Sequence, residues 1–197
     1  MSVEYATTVH AGLTDTVHDS QRAFRGALQA LARPGRVQRI GAPIAGVPLG
    51  AAMSHLLLAL ADEDTPVWWQ RTHAELAQWL RFHTGANATL DPGAAMFAVV
   101  TDPAAMPALR AFACGTLASP EFSCTLLVQV KSLRDGPLVH AVGPGIRERE
   151  SLRIAGLPDA FWPQWHANHA AFPQGVDVIF TCADEAIGLP RTTKVQP

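Results

Sequence analysis

Lysine is nearly missing from this 197-residue sequence. Of fifteen basic side chains only Lys131 and Lys194 are lysines, and the others are arginines. Arginine recognises anions through a planar fork but stays protonated, so it cannot act as a Schiff-base amine. Two positions therefore remain for a covalently held aldehyde cofactor. A GC-rich coding sequence, which favours Ala, Arg, Gly and Pro, also accounts for the bias. Cysteine is scarce as well: Cys114, Cys124 and Cys182 form no Cys-x-x-Cys pair and leave an odd count. That argues against a disulfide framework, offers no nest for an iron–sulfur cluster, and suits a reducing compartment.

Charge is thin. Only 16% of residues are charged, with a formal net charge of −2, against ~25% charged in an average soluble domain. There is no basic footprint for nucleic acid, and with 48% hydrophobic residues the chain is not a disordered one. Long apolar runs are missing too. The most apolar stretch, Met53–Ala61, is far shorter than the ~20 residues of a membrane span. Met1–Thr8 has neither a basic start nor a long apolar core. The expectation is a soluble, cytoplasmic protein that touches neither membrane nor nucleic acid.

Motifs that announce chemistry are equally sparse. No Gly-x-Gly-x-x-Gly, Gly-x-Ser-x-Gly or His-Glu-x-x-His occurs, so no dinucleotide fingerprint, nucleophile elbow or zinc-protease helix is present. His166 and His169 stand three apart beside Trp162 and Trp165, which on a helix puts both rings on one face, as two metal ligands require. No third ligand is nearby, and a polar helix edge is the other reading. Gly143-Pro144-Gly145 follows an expected strand and could expose amides to an anion, although its proline removes one donor. The Arg147–Glu150 run then alternates charge like a solvated face. Pro190-Arg191-Thr192-Thr193-Lys194 combines two cations with two hydroxyls. It reads either as a grip for phosphate or phosphonate or as an ordinary polar strand. Catalytic, cofactor-binding and metal-ligating residues are therefore left unassigned. Arg191, Thr192 and Lys194 stand as candidate contacts to a ligand or partner.

What is present is the alternation of an α/β domain, expected to be one unit over 1–197 because no linker or repeat divides the chain. Val17, Phe24, Ala27, Leu28 and Leu31 recur at helical spacing between Asp15 and Arg33, and Pro34-Gly35 ends the pattern. Arg36–Ile40 predicts a strand. A second helix starts near Pro48 with Leu49, Met53, Leu56, Leu57 and Leu60 on its apolar face. Thr65–Trp69 predicts a strand, and Thr72-His-Ala-Glu75 matches a capping box opening a helix through Leu76, Trp79 and Leu80 to Gly85. Ala95–Val100 and Ser123–Val130 read as buried strands, with a short helix over Met106–Ala113 between them. Arg134–Pro137 suggests a hairpin into Leu138–Val142, and Val176–Thr181 turns at Asp184-Glu185 into Ala186–Leu189.

Several of these pieces, in order and at this spacing, resemble the PhnH family, the H subunits of the bacterial carbon–phosphorus lyase complex. They are Phe24-Arg25 with Arg33-Pro34-Gly35; Leu60-Ala61-Asp62 and Asp64-Thr65-Pro66-Val67-Trp68; and Leu80-Arg81-Phe82-His83-Thr84. Further along come Pro120-Glu121, Leu127-Val128-Gln129-Val130, Gly143-Pro144-Gly145-Ile146, Phe172–Asp177 and Pro190–Val195. The resemblance implies a three-layer α/β sandwich with a mixed sheet, like a trimmed large domain of type I pyridoxal-phosphate transferases without their cofactor site. It implies a subunit that works with other core subunits in phosphonate catabolism. Those subunits together convert ATP and an alkylphosphonate into a ribosyl phosphonate triphosphate. It implies a homodimer in isolation, no cofactor, and contact with phosphonate or nucleotide only in the assembled complex. Having just Lys131 and Lys194 agrees with a cofactor-free chain. The other reading is a stand-alone pyridoxal-dependent or other small transferase. Trp68-Trp69 and Trp162/Trp165 are candidate interface residues or core residues.

Overall fold

The computed structural model describes residues 10–71 and 74–196. Four helices flank a seven-stranded sheet, and a second, three-stranded sheet lies beside it. The helices are α1 (Thr16–Ala32), α2 (Ala51–Leu60), α3 (Ala74–Thr84) and α4 (Phe161–Ala170). The first five strands are β1 (Gln38–Arg39), β2 (Val67–Trp69), β3 (Ala88–Thr89), β4 (Phe97–Val100) and β5 (Thr125–Gln129). The rest are β6 (Val139–Val142), β7 (Glu150–Leu152), β8 (Asp177–Cys182), β9 (Glu185–Leu189) and β10 (Lys194–Gln196).

The large sheet has the order β1-β9-β8-β5-β4-β2-β3. All its strands run one way except β9, which is antiparallel to both β8 and β1. The register sorts its side chains cleanly. Val99, Leu127 and Ile179 pair in a row and face α1, α2 and α3, while Val100, Val128 and Phe180 pair in a row and face α4 and the small sheet. Strands buried on both faces need apolar residues at every position, which is why these segments read as continuous apolar runs. Each such side chain contributes roughly 1.5–3 kcal/mol of burial.

Three expectations are corrected. Leu138–Val142 does not form a hairpin with the preceding strand, because β4 and β8 already occupy both edges of β5. The chain instead leaves the sheet at Lys131, pairs Ser132 with Ala155, and builds the order β10-β6-β7 in the small sheet. The helix expected over Met106–Ala113 is two 3₁₀ turns, Pro103–Ala105 and Leu109–Ala111. Pro107 separates them, since it lacks a donor and disfavours a helical residue before it. The second helix begins at Ala51, not near Pro48; Gly50 is its N-cap, and the Gly50 amide donates to Gln129 Oε1 at 3.0 Å. The Thr72 end of the expected capping box lies outside the described residues.

The first helix forms where expected, its N-cap Asp15 accepting from the His18 amide at 3.0 Å, yet it is turned differently from its apolar spacing. Its buried residues are Ala23, Ala27 and Ala30, whereas Val17, Phe24 and Leu28 are 65%, 53% and 54% exposed. Small residues on the inner side let α1 lie close to β9: a Cβ on Gly188 would sit 2.5 Å from the Ala30 carbonyl carbon. Among the tryptophans, Trp79 and Trp165 are fully buried; Trp68, Trp69 and Trp162 are half-buried and pack against the core.

Candidate functional site

The C-terminal segment singled out in the sequence follows β9 and turns at Pro190, whose carbonyl accepts from the Thr193 amide at 2.8 Å. Its end, β10, pairs with β6. Inside this turn lies Arg191, its side chain 13% exposed and ion-paired with Asp177. The Nε donates to Asp177 Oδ1 at 3.1 Å, and one Nη1 hydrogen each is aimed at the carbonyls of Pro120, at 3.1 Å, and Pro173, at 3.4 Å. Nη2 bonds both Ser123 Oγ and Asp177 Oδ2. The Arg191 amide adds a bond to Asp177 Oδ1 at 2.7 Å. A guanidinium has five N–H donors, and all five find acceptors inside the protein. The fork therefore clamps residues 120–123, 173 and 177 together. Thr192 is half-buried and Lys194 exposed, and neither side chain contributes a bond to the clamp.

Helix α4 fixes the same segment from the other side. Trp165 Nε1 donates to the Thr193 carbonyl at 3.0 Å, His166 Nε2 to that of Val195 at 2.9 Å, and His169 Nδ1 to that of Arg191 at 2.9 Å. A carbonyl can only accept, so each ring nitrogen named carries the proton. The two histidines that share a helix face, together with Trp165, thus hold the alternate carbonyls 191, 193 and 195 of the final segment. Among the described residues no group of three His, Cys, Asp or Glu side chains is placed to hold a metal ion. Asn168 completes the edge, its amide bridging the carbonyl and amide of Val176 at 2.9 and 2.8 Å.

The Gly143-Pro144-Gly145 turn is a packing device. A Cβ on Gly145, at φ +80°, would run into the Ala32 carbonyl. The turn thereby seats the end of β6 against the end of α1. Two of the three thiols are quiet: burial raises the pKa of Cys114, with only partial relief from the Arg191 charge, and raises that of Cys124 further. A thiol so shifted carries little thiolate at neutral pH.

Sequence reasoning missed Gln70, which sits where β2 and β4 end side by side and the chain order reverses direction across the sheet. Its Oε1 accepts from the amides of Thr101 and Asp102 at 3.0 and 2.8 Å, and its Nε2 donates to the Asp102 carbonyl at 2.7 Å. Open sheets bind ligands at such reversal points; here one amide side chain closes the crevice, and Arg71 pairs with Asp102 at 3.3 Å across its mouth. Nothing local in the sequence marks Gln70, because its partners lie about thirty residues away. Among the described residues, cavities flank the core on either side. One, of about 500 Å³, runs between α4 and Leu109–Cys114 and is mostly apolar. Another, of about 560 Å³, holds Asp19, Arg22 and His55. Of these, Asp19 is engaged by Arg22 and the Asp15 amide, and His55 Nε2 lies 3.0 Å from the Ala42 carbonyl.

Residues 11–196 match the model of a bacterial phosphonate metabolism protein family, PhnH. The chain belongs to the PhnH family. It is 38% identical over 185 residues, 92% of each chain, to the alpha-D-ribose 1-methylphosphonate 5-triphosphate synthase subunit PhnH of Rhizobium meliloti (strain 1021). It is also 32% identical over 178 residues, 89% of this chain and 85% of the other, to the putative C-P lyase subunit protein HtxG of Stutzerimonas stutzeri. The segments that carry the family resemblance meet at two places in the fold. Pro120, Pro173, Asp177 and Arg191 join at the clamp, and Arg33-Pro34-Gly35 meets Gly143-Pro144-Gly145 at the end of α1. Among the described residues, no helix is long and apolar enough to cross a membrane.

Proposed function

We propose that this chain is a subunit of the carbon–phosphorus lyase machinery. It acts with other core subunits in making a ribosyl phosphonate triphosphate, in an assembly or substrate-positioning role. The observation that carries this is the 38% identity spanning 92% of both chains to a named synthase subunit. A site whose strongest cation is fully engaged internally fits a scaffold better than a self-sufficient enzyme.

The finer reading is a single domain over 1–197 that works in the cytoplasm and dimerises when isolated. Its fold is a trimmed relative of the type I pyridoxal-phosphate transferase domain. The helix-flanked seven-stranded sheet with one reversed strand supports that kinship. In the C-terminal segment, Thr192 and Lys194 touch a partner, phosphonate or nucleotide of the assembled complex, and Arg191 contributes by holding them in place. The test is a tagged chain in cells grown on methylphosphonate as sole phosphorus source, in a strain lacking its own copy. Restored growth and recovery of the other lyase subunits on the tag are expected. Growth without the chain, and recovery of the chain alone, would overturn the proposal.

A further inference from the structure

We infer that the outer face of α1 is a docking surface for a different, acidic-flanked subunit, an inference that rests on the subunit role proposed above. Val17, Phe24 and Leu28 stand at i, i+7 and i+11. They lie within an arc of about 40° and along about 16 Å of helix. Each is more than half exposed. Scattered surface apolar residues are ordinary, but an aligned row of large ones is not. Folding does not call for this row, because α1 is already seated by Ala23, Ala27 and Ala30 against α2 and β9.

The charges around the row select the occupant. The two acids of α1's first turns are engaged: Asp15 with the His18 amide and ring, Asp19 with Arg22 and the Asp15 amide. Arg25, exposed on the flank of the row, has no ion-pair partner among the described residues. The uncompensated charge beside the apolar row is therefore positive. A second copy crossing antiparallel about the middle of the row would set Arg25 beside Ser20 and Gln21 of its mate, where the nearest acid, Asp19, is already engaged by Arg22 and the Asp15 amide. A partner that lays an apolar ridge along α1 and places a carboxylate beside Arg25 meets both features.

The experiment co-expresses the chain with the other lyase subunits and compares wild type, the Phe24→Glu/Leu28→Glu double variant and Arg25→Glu. Complex recovered on a tag and the sedimentation of each isolated chain are measured. Both variants change exposed side chains, so melting temperatures near wild type are expected. The double variant should lose at least tenfold in recovered complex, and Arg25→Glu should lose several-fold, more at low salt than at high. Recovery of the double variant at the wild-type level would overturn the inference. So would a double variant that only converts an isolated dimer to monomer, since a second copy would then be the occupant. If even the wild-type chain recovers no other subunit, the subunit role itself fails.

Discussion

Helix α1 turns Val17, Phe24 and Leu28 to solvent and buries alanines, whereas α4 buries Phe161 and Trp165 and turns its polar edge onto the C-terminal segment. By residue type alone the assignments would be reversed. The apolar spacing of α1 looks like core, and the His166/His169 pair of α4 looks like chemistry. The difference lies in what each helix meets. Facing α1 is β9, where Gly188 leaves room only for small residues, so the large ones go outward. Facing α4 is an edge of bare carbonyls at 191, 193 and 195, each of which needs a donor once buried. Polar side chains are then structural, and apolar ones remain for a partner.

The largest effect that sharpens this contrast should come at the clamp. Arg191→Ala leaves the Asp177 carboxylate half-covered with no countercharge, a loss of about 3 kcal/mol, or roughly 6–12 °C in melting temperature. Arg191→Lys keeps the charge but not the fork, so it should recover only part of the loss. Thermal denaturation followed by circular dichroism reads both. A wild-type melting temperature in Arg191→Ala would break the structural half of the comparison.

Next comes Trp165→Phe, which preserves most of the ring but strands the buried Thr193 carbonyl. An unpaired acceptor costs ~1–3 kcal/mol, again read as lowered melting temperature. By contrast, Phe24→Ser and Leu28→Gln on α1 should change the stability of the isolated chain by no more than about 0.5 kcal/mol, the usual range for exposed positions. A large destabilisation there would show that the row supports the fold.

How far the sequence could be read follows from the range of the interactions. The apolar runs of β4, β5 and β8 are local and were legible, as were the ends of α1. Periodicity shows that a helix has a face but not which neighbour it meets, so the outward turn of Phe24 was hidden until Gly188 was placed beside Ala30. The expected hairpin does not form because edge occupancy of β5 depends on strands far away in sequence. Arg191 was legible as an important arginine. Its acceptors at Pro120, Ser123 and Asp177 were not, since they lie between 14 and 71 residues away.

The smallest expected effect concerns acid. Glu185 is held below the usual carboxylate range, first by its hydrogen bond from Arg134 and then by the charges of Arg134 and Arg39. A carboxylate with a lowered folded pKa stabilises the fold above its ordinary pKa, and that contribution fades as pH falls through the lowered value. Arg134→Ala should therefore raise the Glu185 pKa in an NMR titration and lower melting temperature slightly at neutral pH. The two proteins should converge at acid pH. Arg134 is an exposed partner, so the difference stays small.

The contrast between the two helices is tested most directly by hydroxyl-radical footprinting of the chain, alone and within the recovered lyase complex. Phe24 and Leu28 should react readily in the isolated chain and become protected at least several-fold on assembly, while Trp165 stays protected in both. Equal labelling of Phe24 and Leu28 in the two states would contradict the assignment of α1 as the partner-facing helix.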